Sequence, residues 1–169
     1  MTSTYLALLR GTNVGGKNKL PMKQLVQLFV EVGCSDVRSY IQSGNVVFTV
    51  DSQLAELIPA RVTAAIAERF GYEIPVLSRT TEQIRDVIRN NPFLDSGAAE
   101  DALHVLVLAD SPGPRRVGDL DQDRSRPDEF IVRGQEVYLW LPNGVARTKL
   151  TNDYFDSKLA TTSTGRSCR

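Results

Sequence analysis

The order of the apolar segments in the first 80 residues constrains the fold most strongly. A short apolar run, "YLALLR", precedes a helical stripe that opens at Pro21 and ends at Gly33. Two β-rich runs, "VRSYI" and "NVVFTV", then flank "QSGN", whose composition is typical of a hairpin turn. The helical segment "SQLAELIPARVTAAIAERFG", which Gly71 is expected to end, and the strand "YEIPVLSR" complete the order β-α-β-β-α-β. This order is that of the ferredoxin-like fold.

The remaining residues repeat this order, without visible sequence identity between the halves. A connecting helix, "TTEQIRDVIRNNPF", for which Thr80 or Thr81 is the expected cap, precedes the strand "LHVLVLAD". The runs "EFIV" and "EVYLWLP" flank a second hairpin turn. The closing helix, "KLTNDYFDSKLA", is followed by a polar end without apolar alternation. The sequence therefore predicts an α+β protein with two ferredoxin-like (βαββαβ) halves, residues 1–79 and 80–162. We expect the second half to lack a regular fourth strand and residues 163–169 to form a loosely paired polar tail.

The strand "EVYLWL" carries apolar residues on both of its faces. Its aliphatic side chains at positions 137, 139 and 141 lie opposite Tyr138 and Trp140, because successive strand residues point to opposite sides. Such strands are typical of sheets that are covered on both sides. We therefore expect Trp140 to be largely buried. An RNA-recognition motif, which needs an open sheet face with stacking aromatics, is disfavoured.

Composition limits the classes of function. The chain has 20 basic and 20 acidic residues, so no overall charge attracts it to nucleic acid or to a membrane surface. The two ends are net basic and the segment Asp95–Glu129 is acidic, so any anion site must be local. Two cysteines do not make a disulfide framework, and no apolar run reaches membrane-spanning length. We predict a cytoplasmic protein that does not bind membranes.

The loop "RGTNVGGKNKL" has the spacing of a nucleotide-binding P-loop up to its last letter. Asn18 stands where that motif requires a Ser or Thr hydroxyl for magnesium, although Asp110 after the strand "LHVLVLAD" resembles a Walker B carboxylate. The next helix begins near Pro21, too late for Lys17 to lie on its first turn. Hairpin strands also do not fit a parallel P-loop sheet. Nucleotide hydrolysis is therefore not predicted.

Five segments in order suggest a family: "YLALLRGTNVGGKNKLPM", "VRSYIQSGNVVF", "NPF", "VYLWLPNGVARTKLTN" and "KLATT". Together they resemble the bacterial family catalogued as domain of unknown function 1697, from about Tyr5 to Thr162. The resemblance implies a two-part α+β protein with ferredoxin-like halves, and it implies no established activity. Family members usually continue after the Thr-Thr with Arg-Asn-Trp and a short final helix, whereas this chain reads "STGRSCR".

No catalytic or metal-binding constellation stands out in the sequence. His104 is the only histidine and lies in an apolar strand, where a core histidine is expected. Cys34 follows a helix end with no adjacent base that could activate it. Asp121 and Asp123 lie in a charged loop and are expected to be solvated. We predict no catalytic residue, no metal site and no cofactor.

Two loops rich in Gly, Asn and basic residues are the candidate binding sites. Glycines permit positive φ, so successive backbone N–H groups can form an anion-binding nest, and Arg and Lys add charge. In the second loop, Asn143-Gly144 is a turn, and Arg147 and Lys149 are expected at a helix start that Thr148 caps. Alternatively, both loops are structural turns. The candidate ligand-binding residues are Arg10, Gly11, Asn13, Gly15, Gly16, Lys17, Asn18, Asn143, Arg147 and Lys149.

Two hypotheses of function follow from these loops. The first is a non-catalytic binding module for a phosphate-bearing partner, either a nucleotide or a nucleic-acid backbone. The second is an enzyme of undefined reaction that acts on an anionic small molecule at the same loops. A deep pocket would favour a small molecule, and a linear fall of log affinity with log salt would favour nucleic acid. We expect a monomer or a weak homodimer.

Overall fold

The computed structural model of the chain describes residues 1–11, 19–40 and 44–168. The chain divides into two compact units, Met1–Arg85 (unit 1) and Asp86–Arg169 (unit 2). Each unit contains a four-stranded sheet in which every pair of neighbouring strands is antiparallel. The α+β class predicted from the sequence is therefore confirmed. The antiparallel pairing also agrees with the rejection of a P-loop fold.

Unit 1 has the predicted order of elements. These are β1 (Thr2–Leu9), α1 (Met22–Glu31), β2 (Ser35–Tyr40), β3 (Asn45–Asp51), α2 (Ile58–Phe70) and β4 (Val76–Thr80), with a 3-10 turn at Ala55–Leu57. The strands lie in the order β2-β3-β1-β4. Helix α1 begins directly after Pro21, and α2 ends at Gly71, which adopts a left-handed conformation with φ of 74°. A glycine is favoured there because it has no Cβ to clash.

The core of unit 1 lies between one face of its sheet and the two helices. Leu25, Leu28 and Phe29 form the buried stripe of α1, as the helical periodicity predicts. The Phe29 ring meets that of Phe48 from β3, with 5.3 Å between centroids. Val62 of α2 is fully buried in the same cluster. Burial of this apolar surface is what stabilises two helices on the sheet.

Helix α3 (Thr81–Arg89) follows β4 and has a capping box. The Thr80 hydroxyl oxygen accepts a hydrogen bond from the Gln83 backbone N–H at 3.1 Å. The Gln83 side-chain oxygen in turn accepts one from the Thr80 backbone N–H at 2.8 Å. Two N–H groups that the helix itself leaves unpaired are thus satisfied. Thr80 was one of the two caps expected from the sequence.

Unit 2 repeats the order of unit 1. Its elements are β5 (Leu103–Leu108), α4 (Pro114–Gly118), β6 (Glu129–Arg133), β7 (Glu136–Trp140), α5 (Asn152–Leu159) and β8 (Ser163–Ser167), preceded by 3-10 turns at Leu94–Ser96 and Glu100–Ala102. The strands lie in the order β6-β7-β5-β8, which matches that of unit 1 strand for strand.

The prediction that the second half lacks a regular fourth strand is wrong. Strand β8 pairs antiparallel with β5, from Ser163 opposite Leu108 to Ser167 opposite His104. The Ser163 side chain is fully buried, where it donates to Asp156 Oδ1 at 2.6 Å and accepts from Asn152 Nδ2 at 2.8 Å. These bonds to α5 satisfy a buried hydroxyl, so a polar strand can be buried without apolar alternation. Residues 163–167 are accordingly not a loose tail.

Both faces of the second sheet are covered, as the apolar residues on both sides of β7 predict. Val137 and Leu139 pack in a cluster with residues of α4 and α5. On the other face, Tyr138 packs in a cluster with Val87 of α3, and its hydroxyl donates to the Val87 carbonyl at 3.2 Å. Trp140 packs against this second cluster but is only partly buried, less than expected. It is the last residue of β7.

Candidate functional site

The structure describes only the beginning of the first predicted loop. Gly11 follows β1 with φ of 73°, and the Arg10 backbone N–H donates to the Pro75 carbonyl at 3.1 Å. The positive φ at Gly11 agrees with the expectation that this loop needs glycine geometry. Five candidate residues lie outside the described residues: Asn13, Gly15, Gly16, Lys17 and Asn18. Gln42 and Ser43 of the first hairpin turn lie outside them as well.

The second predicted loop, which connects β7 to α5, borders a cavity of about 380 Å³ within unit 2. We call it the loop cavity. Its walls are residues 125–128, which precede β6, together with Asn143, Gly144, Arg147 and Thr148. Two of the candidate residues, Asn143 and Arg147, therefore line one cavity, and Lys149 lies beside it in sequence. Its volume falls in the range of small-molecule sites.

The Asn143-Gly144 pair forms the predicted turn. Gly144 has φ of 81°, and its backbone N–H donates to the Leu141 carbonyl at 3.0 Å. A side chain would be strained at this φ, so the glycine is required by the backbone. The turn directs the chain from the end of β7 back along the loop cavity.

A hydroxyl ties the two segments that form the cavity walls. The Ser125 oxygen accepts a hydrogen bond from the Lys149 backbone N–H at 2.9 Å and donates to Asp128 Oδ2 at 2.8 Å. In addition, Arg124 Nε donates to the Lys149 carbonyl at 2.9 Å. Both backbone groups of Lys149 are thus held by the segment that precedes β6. We call these three bonds the Ser125 clasp.

The expected helix start at Thr148 is wrong. Helix α5 begins at Asn152, and its cap is Thr151, whose side chain accepts from the Tyr154 backbone N–H at 3.2 Å. Thr148 instead accepts from the Leu150 backbone N–H at 3.1 Å, a local bond that competes with helix formation. Arg147 and Lys149 therefore lie in an irregular segment. The helix dipole, which acts within the first turn, does not support an anion beside Arg147.

The arginines around the cavity differ in their partners. The Arg124 guanidinium lies over the Tyr154 ring, 4.1 Å from its centroid. Arg126 pairs with Asp123, with 2.8 Å between Nε and Oδ1. The Arg147 guanidinium, by contrast, makes no hydrogen bond or ion pair among the residues that the structure describes. Arg147 is exposed and lines the cavity, so it can bind an anion without breaking an existing pair.

Asp128 places a buried carboxylate at the same cavity. Its relative exposure is 6%, and Oδ2 accepts the Ser125 hydroxyl. Within residues 1–11, 19–40 and 44–168, Oδ1 has no hydrogen-bond partner. A buried carboxylate oxygen without a partner is costly, and it is usually matched by a donor from solvent or a ligand. Among the described residues, the cavity thus holds a guanidinium without a partner, that of Arg147, and a carboxylate oxygen without a donor, Oδ1 of Asp128.

Comparison with known proteins identifies a family. A family model described as "Protein of unknown function (DUF1697)" matches residues 1–138, which is most of the chain. The chain belongs to this family. The resemblance read from the sequence is therefore confirmed, and the description of DUF1697 assigns no activity. A search of curated proteins finds no match.

One solved structure similar to this DUF1697 chain is a conserved bacterial protein, SP0830, from Streptococcus pneumoniae. The match has a TM-score of 0.73 and covers 98% of this chain and 93% of that one. The two sequences are 21% identical, so the likeness concerns the fold alone. It extends past residue 138 and includes the segment that forms α5 and β8.

Sequence reasoning missed half of the loop cavity in the DUF1697 chain. Ser125, Arg126 and Asp128 fell in a segment that was read only as a loop, while Asp121 and Asp123 are exposed as expected. A local signal was present in "SRPD", because Ser, Pro and Asp are typical turn residues. The Asp128 backbone N–H donates to the Ser125 carbonyl at 2.8 Å and closes this turn, and the Arg126–Pro127 peptide bond between them is cis.

The remaining reactive side chains of this DUF1697 chain lie away from the cavity walls. Burial raises the pKa of the Cys34 thiol to about 11, so that thiol is poorly nucleophilic at neutral pH. His104 is half-buried in β5. In the described part of the chain, no three His, Cys, Asp or Glu side chains are grouped to hold a metal ion. No helix there is both long and apolar enough to span a membrane.

Proposed function

We propose that this protein is a non-catalytic binding module for a phosphate-bearing small molecule, and that the phosphate binds in the loop cavity. The observation that carries this proposal is the Arg147 guanidinium, which lines the cavity and has no partner among the described residues. A guanidinium is planar and offers two parallel N–H groups, a geometry that fits phosphate oxygens. Asn143 on the same wall adds an amide that donates hydrogen bonds.

The Ser125 clasp supports the proposal because it holds the two segments of the site together before a ligand binds. It holds the segment that carries Arg147 against the segment that carries Arg126 and Asp128. A ligand that binds a prepared site does not have to order these loops, so less of the interaction free energy is lost on binding. A volume of about 380 Å³ suits a small phosphate ester better than a polynucleotide.

The geometry gives no support to a serine nucleophile in the cavity. The Ser125 oxygen already accepts the Lys149 N–H, and its proton is directed to Asp128. Serine nucleophiles are typically activated by a histidine that a third group orients, as in Ser-His-Asp triads. The cavity walls contain neither His nor Cys. Binding without chemistry is therefore the function that the geometry favours.

The proposal also includes the fold of each unit and the location of the protein in the cell. We propose that each unit is ferredoxin-like, because β2-β3-β1-β4 and β6-β7-β5-β8 place equivalent strands in equivalent positions. We also propose a cytoplasmic location, since Cys34 and Cys168 are both free thiols, which is common in a reducing compartment.

The proposal is tested by titrating inorganic phosphate, AMP and a short single-stranded oligonucleotide into the wild-type protein at low salt. We expect saturable binding of AMP, and Arg147→Ala should weaken it roughly tenfold to a hundredfold, the effect of one lost charge-assisted hydrogen bond. Arg116→Ala is the matched control, because Arg116 is exposed on α4 and does not line the cavity.

Three results would contradict the proposal. Wild-type protein could bind none of the three probes, or Arg147→Ala could bind AMP as well as Arg116→Ala does. Tight binding of the oligonucleotide alone, with log affinity falling steeply as log salt rises, would instead indicate a nucleic-acid partner.

A further inference from the structure

We infer that the ligand of the loop cavity carries a hydrogen-bond donor, an amine or a hydroxyl, beside its phosphate, and that Asp128 selects for it. The inference rests on the proposed function and adds the chemistry of the ligand's second group. Its basis is the relation between two charged side chains that line the same cavity, Arg147 and Asp128.

The two charges do not neutralise each other. No nitrogen of Arg147 lies within 4 Å of a carboxylate oxygen of Asp128 in the part of the chain that the structure describes. Arg147 is exposed and free, whereas Asp128 is 6% exposed and is held in place through Oδ2 by Ser125. A guanidinium and a carboxylate that line one cavity without pairing are complementary to a ligand with both an anionic and a donating group.

Asp128 has one oxygen left for such a group. Because Oδ2 accepts the hydrogen bond of the Ser125 hydroxyl, Oδ1 is the carboxylate oxygen that still lacks a donor among the described residues. A fully ionised phosphate group cannot supply one, since its oxygens are acceptors and bring like charges close to the carboxylate. An amine or a hydroxyl on the ligand can donate to Oδ1 and remove both the repulsion and the unsatisfied acceptor.

This arrangement also predicts discrimination. A site that hydrogen-bonds a ligand donor rejects an analogue without it, because the buried protein acceptor is then left unpaired. Asp128 is in this sense a specificity-determining residue, and Arg147 is the residue that anchors the phosphate. The two roles separate in binding measurements.

The test compares matched pairs of phosphate esters on the wild-type protein. Phosphoethanolamine is compared with ethyl phosphate, which lacks only the amine, and 2-hydroxyethyl phosphate is compared with propyl phosphate, which has a methyl group in place of the hydroxyl. We expect at least tenfold tighter binding of the donor-bearing ester in one of the pairs, and the pair that shows it tells amine from hydroxyl. Equal affinity within both pairs would overturn the inference. Absence of binding by all four would overturn the proposed function as well.

Variants then assign the preference to Asp128. Asp128→Asn removes the charge and should reduce the amine preference to less than threefold while ethyl phosphate still binds. Asp119→Asn, an exposed aspartate on another segment, is the control and should retain the full preference. Arg147→Ala should weaken both members of each pair equally. A full preference retained in Asp128→Asn would contradict the role of Asp128. The wild-type comparison stands by itself if that variant does not fold.

Discussion

The Ser125 hydroxyl oxygen accepts a hydrogen bond from the Lys149 backbone N–H at 2.9 Å, across 24 residues of sequence. The same hydroxyl donates to the buried Asp128 carboxylate at 2.8 Å. One side chain therefore satisfies a backbone donor of one loop and a carboxylate of the other. This link joins the two segments that line the loop cavity.

Ser125→Ala should destabilise the protein by about 1–3 kcal/mol, because it leaves both the Lys149 N–H and the Asp128 carboxylate without this partner. Urea denaturation followed by circular dichroism measures the change. Ser111→Ala is the control, since Ser111 is exposed and should change the free energy of unfolding by less than about 0.5 kcal/mol. Equal stability of the two variants would show that the clasp contributes little.

Val87 and Ile88 are neighbours in α3 that differ in burial. Val87 is 7% exposed and packs in the cluster that Trp140 contacts, whereas Ile88 is 64% exposed. Val87→Ala should cost about 1–3 kcal/mol as a cavity-forming substitution, and Ile88→Ala should cost much less. Val87→Ala should also shift the emission of Trp140, the only tryptophan, to longer wavelength. Identical effects of the two substitutions would refute the packing of Val87 in this cluster.

The buried thiol of Cys34 should make the folded protein less stable at alkaline pH. Burial raises the pKa of its thiol from 9.0 to about 11, so the unfolded chain loses this proton first as pH rises. The free energy of unfolding should therefore fall between about pH 9 and 11, by about 1–3 kcal/mol for this group. The measurement is denaturation at several pH values.

Cys34→Ala is the control for this pH dependence. Its free energy of unfolding should fall less steeply with pH between about pH 9 and 11 than that of the wild type. Burial also raises the pKa of Tyr138 to about 12, but Tyr138 is present in both proteins. The difference between the two slopes therefore reports Cys34 alone. If the free energy of unfolding fell equally steeply with pH in the two proteins, the thiol would not be protected from ionisation in the folded protein.

The glycine-rich loop after β1 supports a separate prediction from sequence alone. Lys17→Ala should weaken phosphate or polyanion binding by about 1–3 kcal/mol with little change in stability, and magnesium should not be needed because Asn18 has no hydroxyl. Lys23→Ala, an exposed lysine of α1, is the control. Titration of AMP with and without magnesium measures both effects. Magnesium-dependent ATP turnover would instead support a P-loop function.

Much of the fold could be predicted from local pattern. The order of strands and helices, the stop of α2 at Gly71 and the cap of α3 at Thr80 depend on neighbouring residues, and each was predicted. The turn at Gly144 was likewise predicted, because a positive φ favours glycine wherever it occurs. The family was also recognisable, since its motifs are runs of consecutive residues.

The sequence by itself thus determined the element order, the apolar faces and the basic character of the second loop. Only the tertiary structure decided that polar Ser163 lies in a buried strand, because Asn152 and Asp156 satisfy its hydroxyl. It also decided which threonine caps α5 and that Arg147, unlike Arg124 and Arg126, has no partner among the described residues. Hydrogen bonds between residues distant in sequence leave no periodicity along the chain, so the cavity around Arg147 and Asp128 is visible only once the chain is folded.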